Sequence, residues 1–366
     1  MNSDRILTMV RGVVTPLDDT LSVHLAAPPR SELRPVAHAE RRWRALGARM
    51  RERGVDDQTV NAIWTPVRSA AAIRTGVAVF ARAGRVVYVQ RMPDWDGTDL
   101  ATFGAPAHVA PVLGWLRTLV PYVVVVTDRT GAEIIGLTDS GHPLAAIRVI
   151  APAAIAEHCL RVAGSIGATL IVAVGAAPDL PYTPGVEFVR VPDGPAEDRL
   201  ARIGDAVRRH AARREHVLLE RFDNLRGPAG IAVEGMSETL AALAGGYVTT
   251  LLVSGGLHEH PSAWFADPPD AVALNPAEVF EHHRAVRRGP LTDVAIRAAL
   301  LAGADVCVLP PDTVGAPDEG LGALCRLDRA VQTRGTVIPI ARLASSRIPR
   351  RGSRRLVRGV SEPPRR

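Results

Sequence analysis

From residue 231 to residue 327 the chain alternates between two hydrophobic periods, and this constrains its fold more than any other feature. Met236-Ser-Glu-Thr-Leu-Ala-Ala-Leu has apolar residues at helical spacing and runs into Gly245-Gly246, where a left-handed C-cap is expected. Val248-Thr-Thr-Leu-Leu-Val reads as a buried strand, Asp293 to Leu301 as an amphipathic helix and Asp305 to Leu309 as a second buried strand. Gly320-Leu-Gly-Ala-Leu-Cys-Arg-Leu then reads as an edge strand, and Thr336 to Ile340 as a last one. A chain that switches period in this way requires a sheet covered by helices, here an α/β/α sandwich over residues 215–341.

Two further units precede it. In residues 1–118, Pro35 to Arg53 places Trp43, Leu46 and Met50 on one helical stripe with the charges mostly off it. Val77 to Phe80 and Val86 to Val89 flank Arg82-Ala-Gly-Arg as a β-hairpin, and Met92 to Gly97 is a turn-rich exit. In residues 119–214, strands are expected at Tyr122 to Val126, Glu133 to Leu137, Ala146 to Ile150, Thr169 to Val174 and Val186 to Val191. Helices are expected over Ala153 to Gly164 and Glu197 to Glu215. With 366 residues, 47% of them hydrophobic, the chain can bury two or three cores. The fold class expected is α/β (α+β multidomain): domains at 1–118, 119–214 and 215–341, then an Arg-rich disordered tail at 342–366.

Charge narrows the chemistry. The sequence contains no lysine, which excludes a Walker P-loop, a lysine Schiff base and a lysine general base. Its net charge of +6 is divided unevenly: Arg342 to Arg366 holds nine arginines against Glu362, so the tail is +8 and the rest is 6 − 8 = −2. A disordered arginine-rich segment is a common electrostatic grip on nucleic-acid phosphates; a solvated tail without a partner is the competing reading. Cys159, Cys307 and Cys325 are far apart in apolar surroundings and read as reduced core thiols. The absence of a long apolar run or signal-peptide pattern leads to the expectation of a cytoplasmic protein with no membrane partner.

Ile231 to Leu243, Val248 to Val253, Asp293 to Leu300 and Gly303-Ala-Asp-Val-Cys-Val-Leu-Pro, in this order, resemble the C-terminal domain of a known family. That family is the bacterial branch of the archaeal and eukaryotic peptide-release factors, which includes actinobacterial relatives of the ribosome hibernation factor Balon. Upstream, Pro121-Tyr-Val-Val-Val-Val-Thr-Asp-Arg-Thr-Gly-Ala-Glu-Ile-Ile resembles the first hairpin of the family's middle domain. Gly76-Val-Ala-Val-Phe-Ala-Arg-Ala-Gly-Arg-Val-Val and Pro106 to Leu113 resemble the end of its N-terminal domain. The resemblance implies an N-terminal α/β domain, an RNase H-like middle domain and a ribosomal-protein-like C-terminal domain. It also implies the ribosome and rRNA as partners, with elongation factor Tu as a co-binder.

The chain departs from the family where the family does chemistry. No Asn-Ile-Lys-Ser string for stop-codon reading is present. Gly-Gly occurs only at Gly245-Gly246-Tyr247 and Gly255-Gly256-Leu257, both in the third unit, and never as the Gly-Gly-Gln of peptidyl-tRNA hydrolysis. The reading is therefore a non-enzymatic ribosome-binding factor that occupies the A site during hibernation or stress, with no cofactor, metal or small-molecule substrate. A peptidyl-tRNA hydrolase or rescue factor is the alternative, for which Gln90 and Asp139 to His142 are the nearest polar candidates.

The candidate RNA-binding residues are all arginines. Arg209 and Arg213, with His216, share a helical face at i, i+4 and i+7, although a solvated face reads the same way. The tail adds Arg347, Arg350, Arg351, Arg354, Arg355 and Arg358. Two other constellations read as structural: Asp128, Glu133, Asp193 and Asp198 as turn and helix-start residues more than a two-metal nuclease site, and His258-Glu-His260 with Glu278, Glu281, His282 and His283 as a polar loop more than a zinc site.

Overall fold

The structure, a computed structural model, describes residues 3–139, 141–175, 181–226, 231–254 and 261–326. It is a mixed α/β protein built on four sheets. The first unit comprises α1 (Ser3–Val14), β1 (Thr20–Leu25), α2 (Pro35–Glu52), α3 (Asp57–Ala62), α4 (Trp64–Ala72), β2 (Gly76–Arg82), β3 (Arg85–Met92), β4 (Leu100–Gly104) and α5 (Ala110–Thr118). Its antiparallel sheet has the order β3-β2-β1-β4. Pro35 opens α2, whose Ala39, Trp43, Leu46 and Met50 bury the stripe the sequence predicts. The β2–β3 turn takes positive φ at both Ala83 and Gly84, the geometry that matches strand twist in a two-residue hairpin. All six residues of β1 are buried, because α2 and α4 cover one face of the sheet and a second, larger core covers the other.

The second unit contains β5 (Tyr122–Asp128), β6 (Gly131–Leu137), β7 (Pro143–Val149), α6 (Pro152–Ile166), β8 (Leu170–Val174), β9 (Glu187–Val191) and α7 (Ala196–Leu225). The sheet order is β7-β6-β5-β8-β9; β6 is antiparallel to both neighbours, while β8 and β9 run parallel to β5. Interior strand β8 is buried at all five positions, as its unbroken apolar run requires with α6 on one face and α7 on the other. Helix α6 ends at Gly167, which takes φ 67° and returns its N–H to the last turn.

The third unit contains β10 (Ala232–Glu234), α8 (Met236–Ala244), β11 (Val248–Ser254), β12 (Ser262–Phe265), β13 (Val272–Ala273), α9 (Pro276–Phe280), β14 (Arg287–Pro290), α10 (Leu291–Leu301), β15 (Asp305–Leu309) and β16 (Leu321–Cys325). Its main sheet has the order β10-β16-β11-β15, beside a small sheet β13-β12-β14. Here the structure corrects the sequence reading: β16 is an interior strand, not an edge. All five of its residues are buried, and a Cβ on Gly322 would crowd Phe222 and Pro317. Gly246 takes the left-handed conformation just past α8, where a C-cap was expected. The strand read at Thr336 to Ile340 lies outside the described residues.

The first and third units share one core. Ile6, Val10, Val13 and Val14 of α1, Phe80 and Met92 of the first sheet, and α5 pack with α8, β11 and α10. The sequence reading assigned no element to α1, whose apolar stripe packs against the distant α10 and against β3. Residue 214 falls inside α7, which runs unbroken from the second unit into the third.

Candidate nucleic-acid interface

Helix α7 is 30 residues long and anchored at two places. Ile203, Ala206 and His210 are buried against β8 and β9; Leu219 and Phe222 are buried against the third unit. Glu197 and Asp198 lie in its first turn, where carboxylates favour the positive end of the helix dipole. Between the anchors, Arg208, Arg209, Arg213 and Arg214 are exposed.

These cations differ in what holds them. Arg213 donates to Glu187 of β9, Nε lying 3.1 Å from Oε2 and Nη2 contacting Oε1. The same carboxylate accepts from Nδ1–H of buried His210 at 2.7 Å, and Nε2 of His210 pairs with the Thr169 hydroxyl at 2.9 Å. Arg208 pairs with Asp205, and His216 with Glu220 at 3.2 Å. Arg209 makes no hydrogen bond or ion pair among the described residues, so its charge faces solvent uncompensated. Of the expected stripe, Arg209 has no partner among the described residues, whereas Arg213 is paired with Glu187 and His216 contacts Glu220. The tail residues Arg347, Arg350, Arg351, Arg354, Arg355 and Arg358 lie outside the described residues.

The carboxylates considered for metal chemistry serve local structure. Asp128 accepts from both the N–H and the hydroxyl of Thr130 at 2.7 Å and from Arg148 at 2.8 Å, which holds its carboxyl down near a pKa of about 2. Asp193 accepts from Gly194 N–H and pairs with Arg199. Among the described residues no group of three His, Cys, Asp or Glu is placed to hold a metal ion. His258 and His260 lie outside the described residues. All three cysteines are buried and unbridged, and burial pushes Cys159 up to about 11 and Cys307 up to about 12.

Sequence reasoning missed two clusters. At the junction of the first and third units, His24 donates from Nε2 to the His108 carbonyl at 2.9 Å, and His108 donates from Nδ1 to Asp293. Nearby, Arg297 is 1% exposed, stacks on Phe265 and donates to the carbonyls of Val14, Thr15, Ala266 and Asp267. The second cluster is Arg117 at the end of α5 facing Arg214 of α7 across a cleft. No local pattern announces either, since each is assembled from segments far apart in the chain.

No family model matches the chain, and no curated protein sequence matches it. Solved structures similar to it include Archaeoglobus fulgidus Pelota, at 12% identity and TM-score 0.34, covering 87% of this chain and 91% of that one. S. cerevisiae Dom34, a translation termination-like factor, is similar at 11% identity and TM-score 0.34, covering 89% and 94%. The archaeal translation termination factor aRF1 is similar at 14% identity and TM-score 0.23, covering 89% and 98%. Likenesses this distant assign no role to any residue of this chain. Among the described residues no helix is long and apolar enough to cross a membrane.

Proposed function

We propose that this chain is a non-catalytic translation factor of the cytoplasm that binds the ribosome. It occupies the A site of idle particles, gripping rRNA with arginines and excluding substrates by its bulk. The observation that carries this reading is the helix α7: fixed at both ends in different cores, it presents Arg209 to solvent with no acid among the described residues to neutralise it. A cation held on a rigid element reaches a phosphate with little ordering cost, unlike one on a mobile loop. The arginine-rich tail supplies eight further net charges of the same sign.

The finer reading follows the sequence resemblance to the hibernation branch of the release-factor family: a role in stress, with elongation factor Tu as co-binder. The family's Gly-Gly-Gln string is absent from the sequence, so steric occupation is proposed in place of ester hydrolysis. Co-sedimentation with ribosomes at ~100 mM and ~500 mM salt tests it, because phosphate-driven affinity falls steeply with salt. Retention at the lower and loss at the higher concentration is expected. Absence from the ribosomal pellet at both, or release of labelled peptide from stalled peptidyl-tRNA, would overturn the proposal.

A further inference from the structure

Where α1, α5 and α7 meet, a half-open cleft of about 500 Å³ separates the three units. Its walls are largely aliphatic: Leu7, Leu113, Leu116, Leu119, Leu218 and Val306. Into this apolar setting the fold brings two guanidinium groups, Arg117 and Arg214. The Nε of Arg117 is buried and has no hydrogen-bond partner. Arg214 likewise makes no hydrogen bond or ion pair among the described residues, and each cation lies within Coulombic reach of the other.

Such an arrangement is costly as it stands. A buried donor without an acceptor loses its hydration with nothing in return, and two like charges at one cleft repel. Elsewhere this protein satisfies its enclosed arginines: Arg297 has four carbonyls, and Arg42 has Asp99 and the Ala26 carbonyl. The acids near Arg117 do not play that part. Asp139 is engaged by the N–H and hydroxyl of Ser3, and Glu215, whose carboxyl is pushed up by burial against the pull of Arg117, makes no ion pair with it. Asp139 on the cleft wall is thus taken up by Ser3, among the described residues neither guanidinium has a carboxylate partner, and the size of the cleft suits a small molecule.

We propose that this cleft binds a small phosphomonoester with an apolar body, its phosphate held between Arg117 and Arg214. A phosphate near neutral pH carries roughly −1.5 to −2 charges and three acceptor oxygens, enough to match two guanidinium forks, whereas a carboxylate matches one. The leucine walls take the remainder of the ligand. The proposal is independent of ribosome binding.

Calorimetric titration of the full chain with hexyl phosphate, inorganic phosphate and hexanoate tests it. Saturable binding of one hexyl phosphate per chain is expected, at least tenfold tighter than either of the other two. Arg117→Gln and Arg214→Gln should each weaken it tenfold or more, while Arg161→Gln, on the outer surface of α6, leaves it unchanged. Should Arg117→Gln fail to fold by circular dichroism, the more exposed Arg214→Gln decides alone. Lack of saturable binding, equal affinity for hexanoate, or equal affinity in Arg214→Gln and Arg161→Gln would overturn the proposal.

Discussion

Nδ1 of His108 lies 2.8 Å from Oδ1 of Asp293, a hydrogen bond that spans 185 positions of sequence and ties the approach to α5 to the first turn of α10. Asp293 is 5% exposed. Burial alone would lower the pKa of His108, but the charge and hydrogen bond of Asp293 outweigh it and raise the net value. A histidine raised in the folded state contributes stability that is complete below its unfolded value of 6.5 and is lost as pH rises through the folded value. Asp293→Asn is expected to cost roughly 3 kcal/mol at pH 6, with a smaller loss above that window, because it breaks an enclosed ion pair. Urea midpoints measured across the range decide it: an unchanged pH slope in the variant would show that the pair contributes nothing.

His24 has the opposite sign. It is fully enclosed, its Nδ1 has no partner, and burial followed by the neighbouring His108 pushes it down to about 3. Between pH 6.5 and about 3 the unfolded chain takes up a proton that the folded chain refuses, so stability falls with pH across that interval. His24→Leu should flatten this acid limb, observed as a lower pH midpoint of acid unfolding by fluorescence. An unshifted midpoint would count against the assignment.

Arg297→Met should remove the donors for four carbonyls and leave acceptors unpaired in a dry junction, at a cost of roughly 3–5 kcal/mol. Two of those carbonyls belong to Val14 and Thr15 at the end of α1, so that helix should be the first element released. Limited proteolysis should then cut near residue 15 in the variant and not in the parent.

Gly289 of β14 packs on the backbone of the first unit, and a Cβ there would collide with the Ala105 carbonyl oxygen and approach Pro106. Gly289→Ala should therefore cost roughly 1–3 kcal/mol, since backbone must move to admit the methyl group. Thermal unfolding measures this directly; a variant of unaltered Tm would mean that the two units are not pressed together at this point.

Arg209→Gln should weaken ribosome association and lower the dependence of log K on log salt by about one unit, the signature of one lost phosphate contact. Arg213→Gln should change binding less, because its guanidinium is already held by Glu187. Equal losses in the two variants would show that the Glu187 pair opens on binding.

The hydrophobic period of the sequence by itself determined much of the architecture. The continuous apolar run of Leu170 to Val174 announced β8 because a strand covered on both faces has no polar side to write, Leu251-Leu-Val announced the buried end of β11, and the stripe through Trp43, Leu46 and Met50 announced α2. The same periodicity put Arg209 and Arg213 on one face of α7. Only the tertiary structure decided that Glu187, on a separate strand, neutralises Arg213 and that Arg209 has no partner among the described residues. Only it decided that β16 lies inside its sheet, that α1 closes a core shared by the first and third units, and that Arg117 meets Arg214. The physical reason is range: a period reports which side of an element avoids water, whereas the identity of what covers that side depends on segments as far apart as Val14 and Arg297, 283 positions away.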